Sequence, residues 1–503
     1  MINRGLVLLF LSITAKDKVE NLYHKIDPYS ISKQLAFYEL YPDTNYGKKA
    51  LSRALDLINI HRPLSEQIDC NVKLPPFSPN RIIHLSSQLM RKDIAPVDMQ
   101  ELMTIQKLSS HLCNRKLKGF YAKTIEDVDA LDEDQVDLTR ALLLELVEDP
   151  QTRLLYESML DLMALEILAH LPQDATLEEK LEKISEYVFF DMEYRFPPKS
   201  IWVEQIDSYT LLPTILNSRF GVCLGVSTLY LGLAQRLDLP LVPITPPGHI
   251  FVRYEEGQKS MNIETTARGI ILDDDHYLSI QTKFLKRRSI KEVVGLNFMN
   301  QGALYWQQSA HEKAIEAYKI AEKYLPNDPL LLRFKGLQYL FSSNLGAAIP
   351  ILEKVKGATV EGSTYQDTQI EDFLDKKIDI EGLKMLYDKD GIDRSSIKKQ
   401  IEKMEAKLEQ FPEFRDGIFQ LAGCWLSLNR TKEAFAVLKK YHQIDPKNPV
   451  VEYYLAALAL DRLELEEGKL YLKNANELLK KQNFYPECLK ELSAAYKKAD
   501  PSF

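Results

Sequence analysis

Three residues in one short stretch of the chain have the types that nucleophilic catalysis needs, in the order thiol, imidazole, carboxylate: Cys223, His249 and Glu264. A thiol attacks carbonyl carbon only as the thiolate, so its surroundings must favour the ionised form. Cys223 follows Arg219-Phe220-Gly221-Val222, and Val226, Leu229, Tyr230, Leu233 and Leu237 then recur at helical spacing. That spacing predicts a helix over about Val222 to Leu237, with the thiol in its first turn. Unpaired N–H groups and the positive end of the helix dipole at that turn favour a thiolate.

The runs His249 to Tyr254 and Gln258 to Glu264 flank Glu255-Glu256-Gly257 and read as a β-hairpin. With Glu256-Gly257 as a two-residue loop, His249 stands directly opposite Glu264, their Cβ atoms about 5 Å apart. Alternation agrees: Ile250, Val252, Met261 and Ile263 share an apolar face, while His249, Arg253, Asn262 and Glu264 share the other, with Phe251 also on that polar side. A carboxylate bonded to one imidazole nitrogen fixes the tautomer and leaves the other nitrogen for the thiol, which is the logic of a nucleophile–base–orienter triad. Arg253 reads as a partner for Glu264 or another acid. Each residue also has a plain structural reading. Cys223 would be a small buried residue on a stripe with Val226 and Tyr230. His249 would be a strand histidine satisfied by a carbonyl, and Glu264 a solvated strand end.

The elements that must hold these residues are mostly helical. The chain has 503 residues, 45% hydrophobic and 27% charged, the balance of a globular protein of about three domains. Only 20 of those residues are glycine, which argues against a turn-rich all-β architecture. The net charge of −8 is spread without a basic block, so nucleic-acid binding is not expected. Five cysteines (Cys70, Cys113, Cys223, Cys424 and Cys488) lack metal-ligand or disulfide-framework spacing, so reduced surroundings, no metal and no cofactor are expected. His24, His84, His170 and His276 also lack ligand-like spacing. Arg4 and the apolar run Leu6 to Ile13 resemble a short signal core, but Ser12-Ile13-Thr14-Ala15 is a poor cleavage site; the cytoplasm is the expected compartment, with export as the alternative. No integral membrane span is expected.

Residues 16–120 read as short helices broken at Pro28, Pro42 and Pro63 and by the loop Leu74 to Pro79. Helices follow from Asp127 to Phe196, the last capped by Thr176 and Glu179 and ending near Pro197-Pro198. Beyond Val294 the sequence repeats. Asn297-Phe298, Gly302, Tyr305, Ala314 to Tyr318 and the closing Pro326-Asn327-Asp328-Pro329 fit the tetratricopeptide pattern, a helical hairpin of ~34 residues. Pro412 and Pro446 stand one such period apart. Units are expected at 297–329, 331–355, 415–448 and 449–482, with one more hairpin from the degenerate stretch 356–411. Tyr305, Trp306 and Tyr318 fall at packing positions of the repeat.

Asn217 to Leu224, Tyr230 to Leu237 and Pro247 to Arg253, with the helical lead-in Ile184 to Phe190, resemble the bacterial transglutaminase-like family related to the Sir invasion regulators. The resemblance covers roughly Asp127 to Asp275, and members of that family often carry tetratricopeptide repeats C-terminally. It implies Cys223 as nucleophile, His249 as base and Glu264 as orienting carboxylate, where the wider superfamily usually has Asp. The expected fold is α+β and mostly helical: a papain/transglutaminase-like domain (121–290) with a small antiparallel sheet, preceded by segments 1–15 and 16–120. An α-solenoid of repeats (291–490) follows. The expected function is acyl transfer, or amide or ester hydrolysis, coupled to a protein or peptide partner held by the repeats. The alternative is a non-catalytic adaptor whose transglutaminase-like domain is inactive.

Overall fold

Helices dominate because apolar residues recur at helical spacing and the caps are strong. The computed structural model describes residues 18–68, 97–198, 206–257, 259–388, 391 and 393–500. The signal-like segment 1–15, the Leu74 to Pro79 loop, Cys70 and His84 lie outside the described residues. The chain divides into two compact units, interleaved in sequence.

Among the described residues, the first unit lies within 18–68, 97–196, 209–241 and 265–269. Its helices are α1 (Ile31–Leu40), α2 (Asn45–Asn59), α3 (Met99–Leu108), α4 (Ile125–Asp129), α5 (Leu138–Leu146), α6 (Pro150–Ala169), α7 (Leu177–Glu186), α8 (Leu212–Ser218) and α9 (Cys223–Arg236). Pro150 at its first turn and the Asp149 cap fix the start of α6. From Tyr156 to Ala169 every residue of α6 is buried, which makes it the central helix of this unit. The capping box of Thr176 and Glu179 opens α7 as expected. The helical path then changes into a π turn over Tyr187–Asp191 and stops there, short of Pro197, because Glu193 takes a left-handed φ of 56°.

The described residues within 197–208, 242–264 and 270–500 make up the second unit. It holds, from Val242 onwards, a five-stranded sheet of β1 (Leu241–Thr245), β2 (Phe251–Glu256), β3 (Lys259–Glu264), β4 (Ile270–Leu272) and β5 (Lys286–Arg287), in the order β4-β3-β2-β1-β5. Helical hairpins follow: α10 (Ile290–Gln307) with α11 (His311–Tyr324), and α12 (Pro329–Phe341) with α13 (Leu345–Val355). After the middle stretch come α17 (Arg415–Ser427) with α18 (Thr431–Ile444), α19 (Pro449–Asp461) with α20 (Leu465–Lys480), and α21 (Glu487–Ala499). Asp328 before Pro329 and Asn448 before Pro449 cap α12 and α19 identically, each accepting from two first-turn N–H groups. The turns inside the hairpins also repeat. Ser309 and Ser343, then Asn429 and Leu463, all sit at φ between 57° and 64°, and each pair is one period of ~34 residues apart. These are tetratricopeptide-like repeats.

The middle stretch departs from the single hairpin expected of it. It forms two short helices, α14 (Gln369–Leu374) and α15 (Ile380–Met385), and one long helix, α16 (Arg394–Gln410). Its first part folds back on itself and reaches the sheet-bearing part of the unit: Thr359 bridges Gln366, Ser363 bridges Thr282, and the Thr364 N–H donates to the Gln281 carbonyl at 3.1 Å. Asp372, fully buried, takes Arg415 at 2.9 and 2.6 Å and thereby joins α14 to the start of α17. Of the expected packing residues Tyr318 is fully buried, while Tyr305 and Trp306 are half-buried, Trp306 lying against Phe334, Phe341 and Tyr387.

Candidate active site

In the first unit Cys223 is the first residue of α9 and half-buried. The backbone leading to it is pinned by hydrogen bonds. The Arg195 N–H donates to the Arg219 carbonyl at 3.0 Å, the Gly221 N–H to the Arg195 carbonyl at 3.1 Å, and the Val222 N–H to the Tyr209 carbonyl at 3.1 Å. Arg219 closes α8 with a left-handed φ of 60°, the conformation that turns the chain towards α9. Val222 in the capping position gives no side-chain acceptor, so the first-turn N–H groups beside Cys223 are not consumed by a cap. Gly225 lets the helix sit close: a Cβ there would collide with the Tyr209 carbonyl oxygen.

The far end of α9 is fixed by charge. Arg236, fully buried, donates to Asp161 of α6 at 2.8 Å, to the Thr139 hydroxyl at 3.0 Å and to the Gly232 carbonyl at 2.9 Å. Asp161 also pairs with Arg115. Burial pushes the Asp161 carboxyl up, but the guanidiniums of Arg115 and Arg236 outweigh it, and the group stays below the usual carboxylate range. Twelve of the fourteen residues of α9 are buried. Cys223 is one of the two that are not, which a purely structural core position would not require.

In the second unit His249 and Glu264 meet. His249 Nε2 donates to Glu264 Oε2 at 2.8 Å, with the carboxylate side chain only 7% exposed. The route to this contact differs from the expected one. Glu256 is not a loop residue but pairs with Lys259, and Arg253 faces Asn262 while Val252 faces Ile263. Each β2 residue therefore faces a partner two positions further along than expected. The cause is Gly257, whose φ of 59° fits the first central position of a tight hairpin, where Glu256 would be strained. A shift of two leaves the faces unchanged, so the polar set stays together. Nor is His249 a strand residue: it precedes β2, and its N–H donates to the Pro246 carbonyl at 3.1 Å. Pro247 followed by Gly248 at φ 76° makes this a type II turn, which delivers the imidazole to the carboxylate at the end of β3.

Arg253 finds another acid rather than Glu264. It donates to Asn262 Oδ1 at 2.6 Å and to Asp274 Oδ1 at 2.5 Å, and Asn262 donates to the same Asp274 oxygen at 2.8 Å. Tyr277 is the residue that sequence reasoning missed. Its hydroxyl donates to Glu264 Oε2 at 2.9 Å, and its ring stacks on Phe251 at 4.0 Å and lies 6.1 Å from the His249 ring in a near-parallel plane. Burial and then the adjacent Glu264 push the Tyr277 phenol well above the usual tyrosine range, so it remains a donor. The signal available in sequence was only that a buried carboxylate needs more than one donor.

Residues 155–293 match the model of the Transglutaminase-like superfamily. The chain carries a transglutaminase-like domain. It is also related to protein SirB1 of Salmonella typhimurium and Salmonella typhi, at 26% identity over 206 residues in each, covering 38% of this chain and 74% of SirB1. Among solved structures, MamA aligns at 18% identity over 37% of this chain and 97% of its own, with a TM-score of 0.20. A thermophilic TPR protein of Thermus thermophilus aligns at 17% identity over 41% and 98%, with a TM-score of 0.21. The repeats rest instead on the hairpins and their periodic turns described above. The transglutaminase-like match contains Cys223, His249, Glu264 and Tyr277. The described cysteines, Cys113, Cys223, Cys424 and Cys488, are all free thiols.

Proposed function

We propose that the transglutaminase-like domain is a cysteine-dependent acyl-transfer or hydrolase module and that the repeats hold its protein or peptide partner. The observation that carries this reading is the His249–Glu264 hydrogen bond through Nε2, which supports the Nε2–H tautomer with Nδ1 in the base role. Cys223 at the first residue of α9 supports it from the side of the nucleophile. In the first step the Cys223 thiolate adds to the carbonyl carbon of an amide or ester, and backbone N–H groups at the start of α9 receive the oxyanion. The C–N or C–O bond then breaks, the leaving amine or alcohol takes a proton from the His249 imidazolium, and a thioester remains. Water or a second amine gives its proton to His249 and attacks the thioester, and the C–S bond breaks to release the acid or the new amide with the thiolate restored.

The test is the rate of Cys223 alkylation by iodoacetamide against pH, read by mass spectrometry of the peptide, in the wild type and in His249→Ala. Rapid alkylation below neutral pH that disappears in His249→Ala is the expected result. Alkylation that rises only towards pH ~8.5 in both proteins would leave the domain as a scaffold for the repeats.

A further inference from the structure

The Glu264 carboxylate is crowded at one atom. His249 Nε2 and the Tyr277 hydroxyl both donate to Oε2, at 2.8 and 2.9 Å, from a turn before β2 and from the segment after β4. A glutamate has one methylene more than an aspartate, so the Glu264 carboxylate has an extra torsion to lose before it can orient an imidazole. Tyr277 is itself immobilised. Its ring stacks on Phe251, which is fully buried, and its N–H donates to the Asp274 carbonyl at 2.9 Å. Asp274 in turn is held by Arg253 and Asn262.

We propose that Tyr277 is a positioning residue of the acyl-transfer site: its hydroxyl locks the rotamer of the Glu264 carboxylate, and the locked carboxylate keeps His249 in the Nε2–H tautomer with Nδ1 as base. This rests on the acyl-transfer reading for its catalytic meaning, while the tautomer claim stands by itself. Tyr277 is not a catalytic residue, because it acts through Glu264. The hydroxyl also counters the burial that would favour a protonated carboxyl. Among the described residues, the charged groups near the pair include His249 from the turn, Arg253 from β2 and Asp274 after β4; Arg253 and Asp274 pair with one another, and the phenol is a neutral donor to Glu264.

The experiment is nitrogen NMR of the full chain labelled at histidine, with His249 assigned by its loss in His249→Ala, over pH 3–9. The wild type is expected to show the Nε2–H form alone when neutral. In Tyr277→Phe the two ring nitrogens should move towards each other, as a mixture of tautomers, and the acid step transmitted from Glu264 should move up by about one pH unit. Phe251→Leu removes the stack and keeps the hydroxyl; it should move both readouts less than Tyr277→Phe does. Wild-type behaviour in Tyr277→Phe overturns the proposal, and so does an equal shift in Phe251→Leu, which would assign the effect to packing. Cys223 alkylation against pH, run on the same proteins, separates the two ideas. If Cys223 is an ordinary thiol while the tautomer still depends on Tyr277, the acyl-transfer reading fails and the positioning role survives.

Discussion

His111 shows how a single half-buried ring sets an acid limit in the first unit. Burial, then the nearby Arg62, His61 and Arg115, against a weaker pull from Asp161, lower its pKa from 6.5 to about 4. Its Nδ1 is buried without a hydrogen-bond partner. A histidine with a depressed folded pKa contributes its full stability above 6.5 and loses it as pH falls towards the folded value, because the unfolded chain takes up the proton first. The wild type is therefore expected to lose about 2 to 3 kcal/mol between pH 6.5 and 4 from this site, once solvent screening is allowed for. His111→Leu should flatten that part of the curve, measured as the urea midpoint against pH; an unchanged slope would remove His111 from the account. At this same scale the catalytic candidates were legible, since a thiol, an imidazole and a carboxylate in order need only be read. Tyr277 was not, because Asp273-Asp274-Asp275-His276-Tyr277 is a string of polar side chains whose partners are chosen by tertiary packing.

At the scale of elements, Gly248 beside His249 and Gly225 in the helix of Cys223 are required for different reasons. Gly248 sits at φ 76° with nothing within 4 Å of an added Cβ, so only backbone conformation excludes a side chain there. Gly225 has an ordinary helical backbone, and an added Cβ would strike the Tyr209 carbonyl. Gly248→Ala should cost about 1–2 kcal/mol, and Gly248→Asn clearly less, since Asn tolerates the left-handed region. Gly225→Ala should cost a comparable amount through overpacking, about 1–3 kcal/mol, with Gly225→Asn worse. Thermal midpoints of the four variants decide it: equal penalties for Asn and Ala at Gly248 would refute the turn argument. The same local chemistry explains what the sequence disclosed. The helix start at Thr176 was readable because Thr176 and Glu179 form a capping box, and the faces of the hairpin because alternation has a period of two. The register was not, because Glu256-Gly257 and Gly257-Gln258 are both plausible loops by composition, and only the pairing of Glu256 with Lys259 separates them.

The repeats make the second unit close to one-dimensional over its C-terminal part, and this sets how damage should spread. In such arrays stability is nearly a sum of hairpins and nearest-neighbour interfaces. Tyr496 of α21 is fully buried, its hydroxyl donating to the Ala456 carbonyl of α19 at 2.7 Å and its ring covering Gly468 of α20. It is a terminal clamp. The ~34-residue period gave away these hairpins in the sequence, whereas the arrangement of α14 to α16 could not be read, because it depends on Asp372 of α14 meeting Arg415 of α17, with α15 and α16 between them in sequence. Tyr496→Ala should cost about 3–5 kcal/mol, as removal of a buried ring does. Because coupling runs between neighbours, amide exchange should accelerate most in α19 and α20, less in α17 and α18, and not measurably in α10 and α11. Uniform acceleration from α10 to α21 would mean that the repeats unfold as one block. A partner bound to the C-terminal hairpins would then be felt throughout the array, instead of only by its neighbours.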